Sequence, residues 1–279
     1  MTDPIADTDA NADVDFEEGR YLYCAVYTDG DASFSAEGIE DGTASLLVQD
    51  GIGVVAQPVD SVYDSDDMTR VRSWLLAHQQ VVDEAGQRFG TPLPFRFDTI
   101  IKGDDETVHE WLEERREEIG DALDRLAGRW EYRIEVRWDE ESVRESVLEE
   151  DEELRELATR TEEASEGTSY LLEKQYEQQL NERLQERRDA ITETLYELIE
   201  PHTVEIQRSS GGGGSNVVAR EADDELDRVV QLSVLAPRGN EETIGEQLET
   251  IAERPAHEVR YTGPWPPYSY APQIGGDGG

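Results

Sequence analysis

Trp130-Glu131-Tyr132-Arg133-Ile134-Glu135-Val136-Arg137-Trp138 alternates without a slip, with Tyr132, Ile134, Val136 and Trp138 on one face and Arg133, Glu135 and Arg137 on the other. Successive side chains of an extended chain point to opposite faces, so this spacing predicts a half-buried strand. A glutamate-rich helical stretch follows, first with Val143, Val147, Leu154 and Leu157 inward. Past Gly167 it continues with Tyr176, Leu180, Leu184, Ile191, Leu195 and Leu198 at heptad-like spacing, until Pro201 stops it. Val204 and Ile206 mark a second strand, and Val230, Leu232 and Val234 a third. Asn240 reads as the cap of a short helix with Ile244, Leu248 and Ile251 inward; Pro255 ends it, and Val259 and Tyr261 alternate in a last strand. The order βαββαβ is the ferredoxin-like pattern, here with long helices. Between its second and third strands, Ser209-Ser210-Gly211-Gly212-Gly213-Gly214-Ser215 reads as a flexible insertion over residues 209–219, a natural, enlarged hairpin loop.

The preceding segment also mixes strand and helix. Residues 21–27 read as a strand, and residues 44–49 and 52–57 as two more, joined by Asp50-Gly51, a dipeptide favoured in two-residue hairpin turns. After Asp66-Asp67, a plausible cap, Val71, Trp74, Leu75, His78, Val82, Ala85 and Phe89 fall at the spacing of an amphipathic helix. Thr91-Pro92-Leu93-Pro94 breaks it, residues 95–101 return as a short strand, and one helix from Asp104 to Gly128 turns Val108, Leu112, Ile119, Leu123 and Leu126 inward. The expected fold class is therefore α+β in two domains, 20–128 and 129–263. An acidic, disordered tail (1–19) precedes them, and a proline-aromatic ribbon with a disordered end (264–279) follows.

The 279 residues carry 66 acidic against 25 basic side chains, a net charge of −41, and Lys102 and Lys174 are the only lysines. Such an excess fits adaptation to concentrated salt, where screening removes self-repulsion. It argues against nucleic acid, whose binding needs a basic stripe. The single cysteine, Cys24, excludes an internal disulfide and reads as a buried strand residue. No window approaches the ~18 apolar residues of a membrane span, and residues 1–18 have no apolar run of the signal-peptide kind.

Three patterns invite a chemical reading. Gly51-Ile52-Gly53-Val54-Val55-Ala56 resembles a relaxed dinucleotide fingerprint, but β-branched residues leading to Pro58 leave no room for the helix it needs. Asp29, Asp31, Ser33, Glu37 and Glu40 fall at calcium-loop offsets, yet Phe34 stands where that loop needs glycine. His109-Glu110-Trp111-Leu112-Glu113 lacks the second histidine of a zinc-protease helix, and the chain has four histidines in all. His78, one turn from Trp74, reads as a satisfied core histidine. The expectation is no catalytic residue, no cofactor and no metal; the acid run 149–153 reads as a solvated helix face.

Residues 261–271, Tyr-Thr-Gly-Pro-Trp-Pro-Pro-Tyr-Ser-Tyr-Ala, pack three prolines and four aromatics into eleven positions. No helix or central strand tolerates that, so a stiff ribbon is expected. It either latches onto its own domain, the favoured reading, or docks on a partner; Trp265, Pro266, Pro267, Tyr268 and Tyr270 are the candidate partner-binding residues.

Several stretches together resemble the gas vesicle accessory proteins of the L/F type. They are Tyr21-Leu22-Tyr23-Cys24-Ala25-Val26, the helix around Trp74 and His78 leading to Pro92-Leu93-Pro94-Phe95-Arg96-Phe97, then Gly167-Thr168-Ser169-Tyr170-Leu171-Leu172-Glu173-Lys174, and above all Gly263-Pro264-Trp265-Pro266-Pro267-Tyr268-Ser269. The resemblance runs from about residue 20 to 272, and length and insertion favour the L type. The acidic extension, the glycine-serine insertion and Tyr270, where phenylalanine is common, depart from the pattern. It implies a non-enzymatic, cytoplasmic, gas vesicle-associated role, with the hydrophobic shell protein and other accessory proteins as partners during nucleation, and no nucleic acid or membrane. Two other readings are a salt-adapted enzyme with an interdomain site using His78, Arg96 and nearby carboxylates, and a coiled-coil adaptor pairing residues 143–198 with a partner helix.

Overall fold

The computed structural model describes residues 16–164, 166–208 and 226–274. Most of the acidic tail, the insertion at 209–219 and residues 275–279 lie outside the described residues. The chain divides into two units, Met1–Gly128 with Pro266–Gly279 and Arg129–Trp265.

The first unit is organised on β1 (Gly19–Tyr27), the inner strand of an antiparallel sheet in the order β2-β3-β4-β1-β5, with β6 on the same edge of β1 as β5. The others are β2 (Ser35–Glu37), β3 (Thr43–Gln49), β4 (Ile52–Val59), β5 (Leu93–Pro94) and β6 (Ile100–Lys102). Asp50 (φ 48°) and Gly51 (φ 86°) form the β3–β4 turn and pair Gln49 with Ile52, as the dipeptide predicts. Helix α1 (Met68–Phe89) is capped by Asp67, whose carboxylate accepts from the Thr69 N–H, and buries Trp74, His78, Val81, Val82 and Ala85. All of β1 except Tyr27 is buried.

Two expectations fail here. The segment 104–128 is two helices, α2 (Asp105–Glu114) and α3 (Arg116–Leu126), because Arg115 takes a non-helical conformation (φ −106°, ψ 13°); the inward residues are nonetheless buried as spaced. Residues 95–101 are not one strand: a turn with Asp98 at φ 65° separates β5 from β6.

The second unit pairs β10-β7-β9-β8, all antiparallel: β7 (Arg129–Trp138), β8 (Glu205–Arg208), β9 (Asp227–Pro237) and β10 (His257–Trp265). Its core joins Trp130, Tyr132, Ile134, Val136 and Trp138 of β7 to the inward residues of α4 (Glu140–Glu150), α5 (Glu152–Glu162), α6 (Glu166–Ile199) and α7 (Glu241–Ala252). The stripe that would serve a coiled-coil adaptor is thus spent on this core: Leu180, Leu184, Ile191 and Leu195 are each at most 4% exposed.

The acid run 149–153 is a boundary rather than one solvated face. Asp151 ends α4 and caps α5, accepting from the Leu154 N–H at 3.0 Å, and binds Arg183 at 2.7 Å. The charged side of β7 is also more covered than a half-buried strand implies: Glu131 is 0% and Arg137 8% exposed, with Glu135 shared between Arg137 (2.9 Å) and Arg228 (2.7 Å). Asn240 stands at the N-cap of α7, but its side chain donates to the His202 carbonyl instead.

β10 runs on through Gly263 and Pro264 to Trp265, into the stretch read as ribbon. An edge strand accommodates proline because its outer N–H groups need no ladder partner, and the register shifts between Thr262 and Trp265. The Gly263–Pro264 bond is cis and Gly263 has φ 137°; a Cβ there would lie 2.7 Å from Tyr132 Cδ1 and 2.9 Å from the Glu131 carbonyl, so only glycine fits without displacement.

Candidate functional site

An irregularity in β1 lies within the most distinctive arrangement in the first unit. The register with β4 slips between Leu22 and Cys24, leaving Tyr23 as the extra residue of a bulge. Tyr21 and Tyr23, two residues apart, meet edge to face, 4.9 Å between ring centroids, beside α1, and the bulge brings Cys24 and Val26 into the same core. The His78 ring stacks on Tyr23 at 5.3 Å, and its Nδ1 shares a 2.8 Å hydrogen bond with the Tyr21 hydroxyl. Tyr63, Trp74 and Phe97 close the cluster.

A short loop is pinned over this cluster. Tyr23 Oη donates to Gln57 Oε1 (2.7 Å) and accepts from the Ile39 N–H (3.0 Å), while Gln57 Nε2 donates to the Ile39 carbonyl and to Tyr63 Oη, both at 3.0 Å. The approach is so close that a Cβ on Gly38 would sit 2.0 Å from Gln57 Oε1. Glu40 and Asp41 are held at φ 54° and 60°, strained for residues with a Cβ, and the surrounding bonds hold them there. Glu40 accepts from Arg70 and from Trp74 Nε1 (3.1 Å), with the Arg70 guanidinium 4.8 Å from the Trp74 ring centroid.

The proline-aromatic ribbon reaches the same cluster. Tyr268 lies 6.1 Å from the His78 ring and packs against the α1–β1 core. The Tyr270 N–H donates to the Pro267 carbonyl (3.1 Å) and the Tyr270 carbonyl accepts from Arg125. Of the five sequence-predicted residues, Pro266, Pro267 and Tyr270 are buried, whereas Trp265 and Tyr268 keep partial exposure. Trp265 belongs to β10, where its Nε1 donates to Thr262 Oγ1 at 3.4 Å. Arg96 faces Gln273, whose amide oxygen, suitably turned, accepts from both terminal nitrogens at 2.6 and 2.9 Å.

Burial sets the electrostatics. It lowers the His78 pKa to about 4, opposed by the nearby Phe95 backbone. Burial raises the Tyr21 and Tyr23 hydroxyls well above the usual range, and burial with nearby Glu40 pushes Tyr63 up to about 12. Near neutral pH His78, Tyr21, Tyr23 and Tyr63 are uncharged, an arrangement suited to holding a loop and a ribbon in place. Among the described residues no group of three or more His, Cys, Asp or Glu is placed to hold a metal, and no helix is long and apolar enough to cross a membrane. Gln57, Tyr63 and Glu40 carry no periodic signal; the glycines at 38 and 42 flanking three residues were the available hint.

The family model for gas vesicle synthesis protein GvpL/GvpF matches residues 19–272, from the first residue of β1 to just past the ribbon. The chain belongs to the GvpL/GvpF family. It is 39% identical to gas vesicle protein L1 of Halobacterium salinarum, over 96% of this chain and 95% of that one, and 35% identical to gas vesicle protein L of Haloferax mediterranei, over 92% and 89%. Both GvpL relatives come from halophilic archaea, in keeping with the acidic composition. The crystal structure of the gas vesicle protein GvpF from Anabaena superposes with a TM-score of 0.74 at 20% identity, covering 91% of this chain and 98% of that one, which shows a shared fold. The mixed helix-and-strand architecture expected from the sequence is thus that of a GvpF structure.

Proposed function

We propose that this gas vesicle accessory protein is a non-enzymatic, cytoplasmic assembly factor that binds the hydrophobic shell protein and other accessory proteins during nucleation. The observation that carries the reading is near full-length similarity to proteins named gas vesicle protein L, together with the family match over residues 19–272. A shell subunit that assembles through apolar surface and strand edges is prone to premature association. A binder with a net charge of −41 would remain dispersed in salt while covering such surface. Supporting a non-catalytic role, His78 is enclosed by aromatic rings and Arg96 faces Gln273.

In this reading the two units are domains, and the β10-β7-β9-β8 order supports a ferredoxin-like assignment for the second. The ribbon acts first as a latch, through Pro266, Pro267, Tyr268 and Tyr270, while Trp265 is the member left to meet a partner. The test is turbidity of shell protein diluted from denaturant into molar salt. Equimolar chain is expected to suppress aggregation, and undiminished turbidity counts against the proposal.

A further inference from the structure

The stretch 167–174, one of those carrying the family resemblance, places Tyr170 and Leu171 on α6 at 63% and 68% exposure, the highest values of any large hydrophobic among the described residues. At helical spacing their face continues through Lys174, Gln178, Asn181 and Gln185, all exposed, as a shallow trough edged by Glu177 and Glu182. The composition of this face decides the argument. Exposed positions in this chain are dominated by carboxylates, yet along four turns the centre of the face holds two apolar residues, three amides and one of the chain's two lysines. The opposite side of α6 is committed to the core through Leu180 and Leu184.

We propose that this face of α6 is a docking surface for an amphipathic helix of a partner protein, with apolar side chains over Tyr170 and Leu171, and arginine or lysine along its edges. Charge complementarity selects that occupant. Glu177 lines one side and Glu182 and Glu186 the other, so basic edges gain favourable contacts, whereas a second copy would set acid rim against acid rim. Helix-in-groove recognition of this kind takes its affinity from a few apolar anchors and its selectivity from the rim. The inference deepens the assembly reading by naming a surface and a partner chemistry.

The test titrates the full chain in molar potassium chloride with a synthetic leucine-glutamine amphipathic peptide bearing arginine flanks, and with its glutamate-flanked counterpart. A nitroxide on Gln178→Cys reports contact, since the native Cys24 is buried. The arginine peptide is expected to immobilise the label, and Leu171→Asp to weaken binding at least about tenfold. Leu76→Asp, at an exposed position of α1, is expected to leave it unchanged. Equal affinity in Leu171→Asp, equal binding of the glutamate peptide, or label immobilisation that rises with chain concentration alone would each overturn the surface. Failure of the arginine peptide to immobilise the label would also overturn the surface, while the assembly reading, tested by turbidity of the shell protein, would stand.

Discussion

The Tyr21 hydroxyl and His78 Nδ1 lie 2.8 Å apart in the interior of the first unit, joining the central strand β1 to helix α1. The same hydroxyl accepts from the Asp98 N–H at 3.3 Å. Tyr21→Phe therefore strands two polar groups while preserving the ring, and an unsatisfied buried group costs about 1–3 kcal/mol. Denaturant titration in molar salt is expected to show a loss of about 2 kcal/mol; an unchanged midpoint would mean that the bond adds nothing.

His78 also gives stability a pH dependence. Its folded pKa, lowered from 6.5 to about 4, means that the unfolded chain binds the extra proton first as pH falls. The contribution is complete above the unfolded value and is lost as pH drops from 6.5 through about 4, on the order of 3 kcal/mol at most. Thermal melts in molar salt across this window are expected to fall less steeply for His78→Gln than for the native chain. Parallel slopes would show that other groups set the acid limb.

Gly263 tests the join between β10 and the ribbon. With φ at 137° and Tyr132 Cδ1 2.7 Å from the position of a Cβ, Gly263→Ala is expected to cost about 2 kcal/mol. Gly239→Ala, with nothing within 4 Å, should be close to neutral. Equal effects on the urea midpoint would refute the steric argument.

How much was legible follows from where the information sits. β1, the Asp50-Gly51 hairpin and the inward faces of α1 and α6 are written in local periodicity, and the structure has them where the spacing puts them. The breaks at Arg115 and Asp151 were hidden because nothing in the apolar spacing changes there; at Asp151 one carboxylate both caps a new helix and reaches Arg183. The aromatic cluster was only half visible. His78 was readable as a core histidine, but its partners come from β1, from Phe97 and from Tyr268, far apart in the sequence. The ribbon's composition excluded a central strand, yet Pro264 and Trp265 sit in β10 because that strand is an edge.

The ribbon residues separate into two groups by burial. Tyr270, 3% exposed, is expected to cost about 3 kcal/mol on replacement by alanine. Trp265→Ala, at a partly exposed edge position, is expected to weaken shell-protein capture more than it lowers the melting temperature. If Trp265→Ala destabilises the chain as much as Tyr270→Ala does and leaves capture intact, the whole segment is a latch.

Salt dependence follows from 66 acidic against 25 basic side chains. The melting temperature is expected to rise from dilute buffer to molar potassium chloride as repulsion is screened. A flat profile would contradict salt adaptation.

The most direct measurement of the assembly role is affinity capture in molar salt, with the full chain immobilised and the shell protein and each accessory protein offered in turn. Retention of the shell protein by the folded chain, reduced by Trp265→Ala, is the expected result. A chain that gives native circular dichroism yet retains neither the shell protein nor any accessory protein would contradict the account.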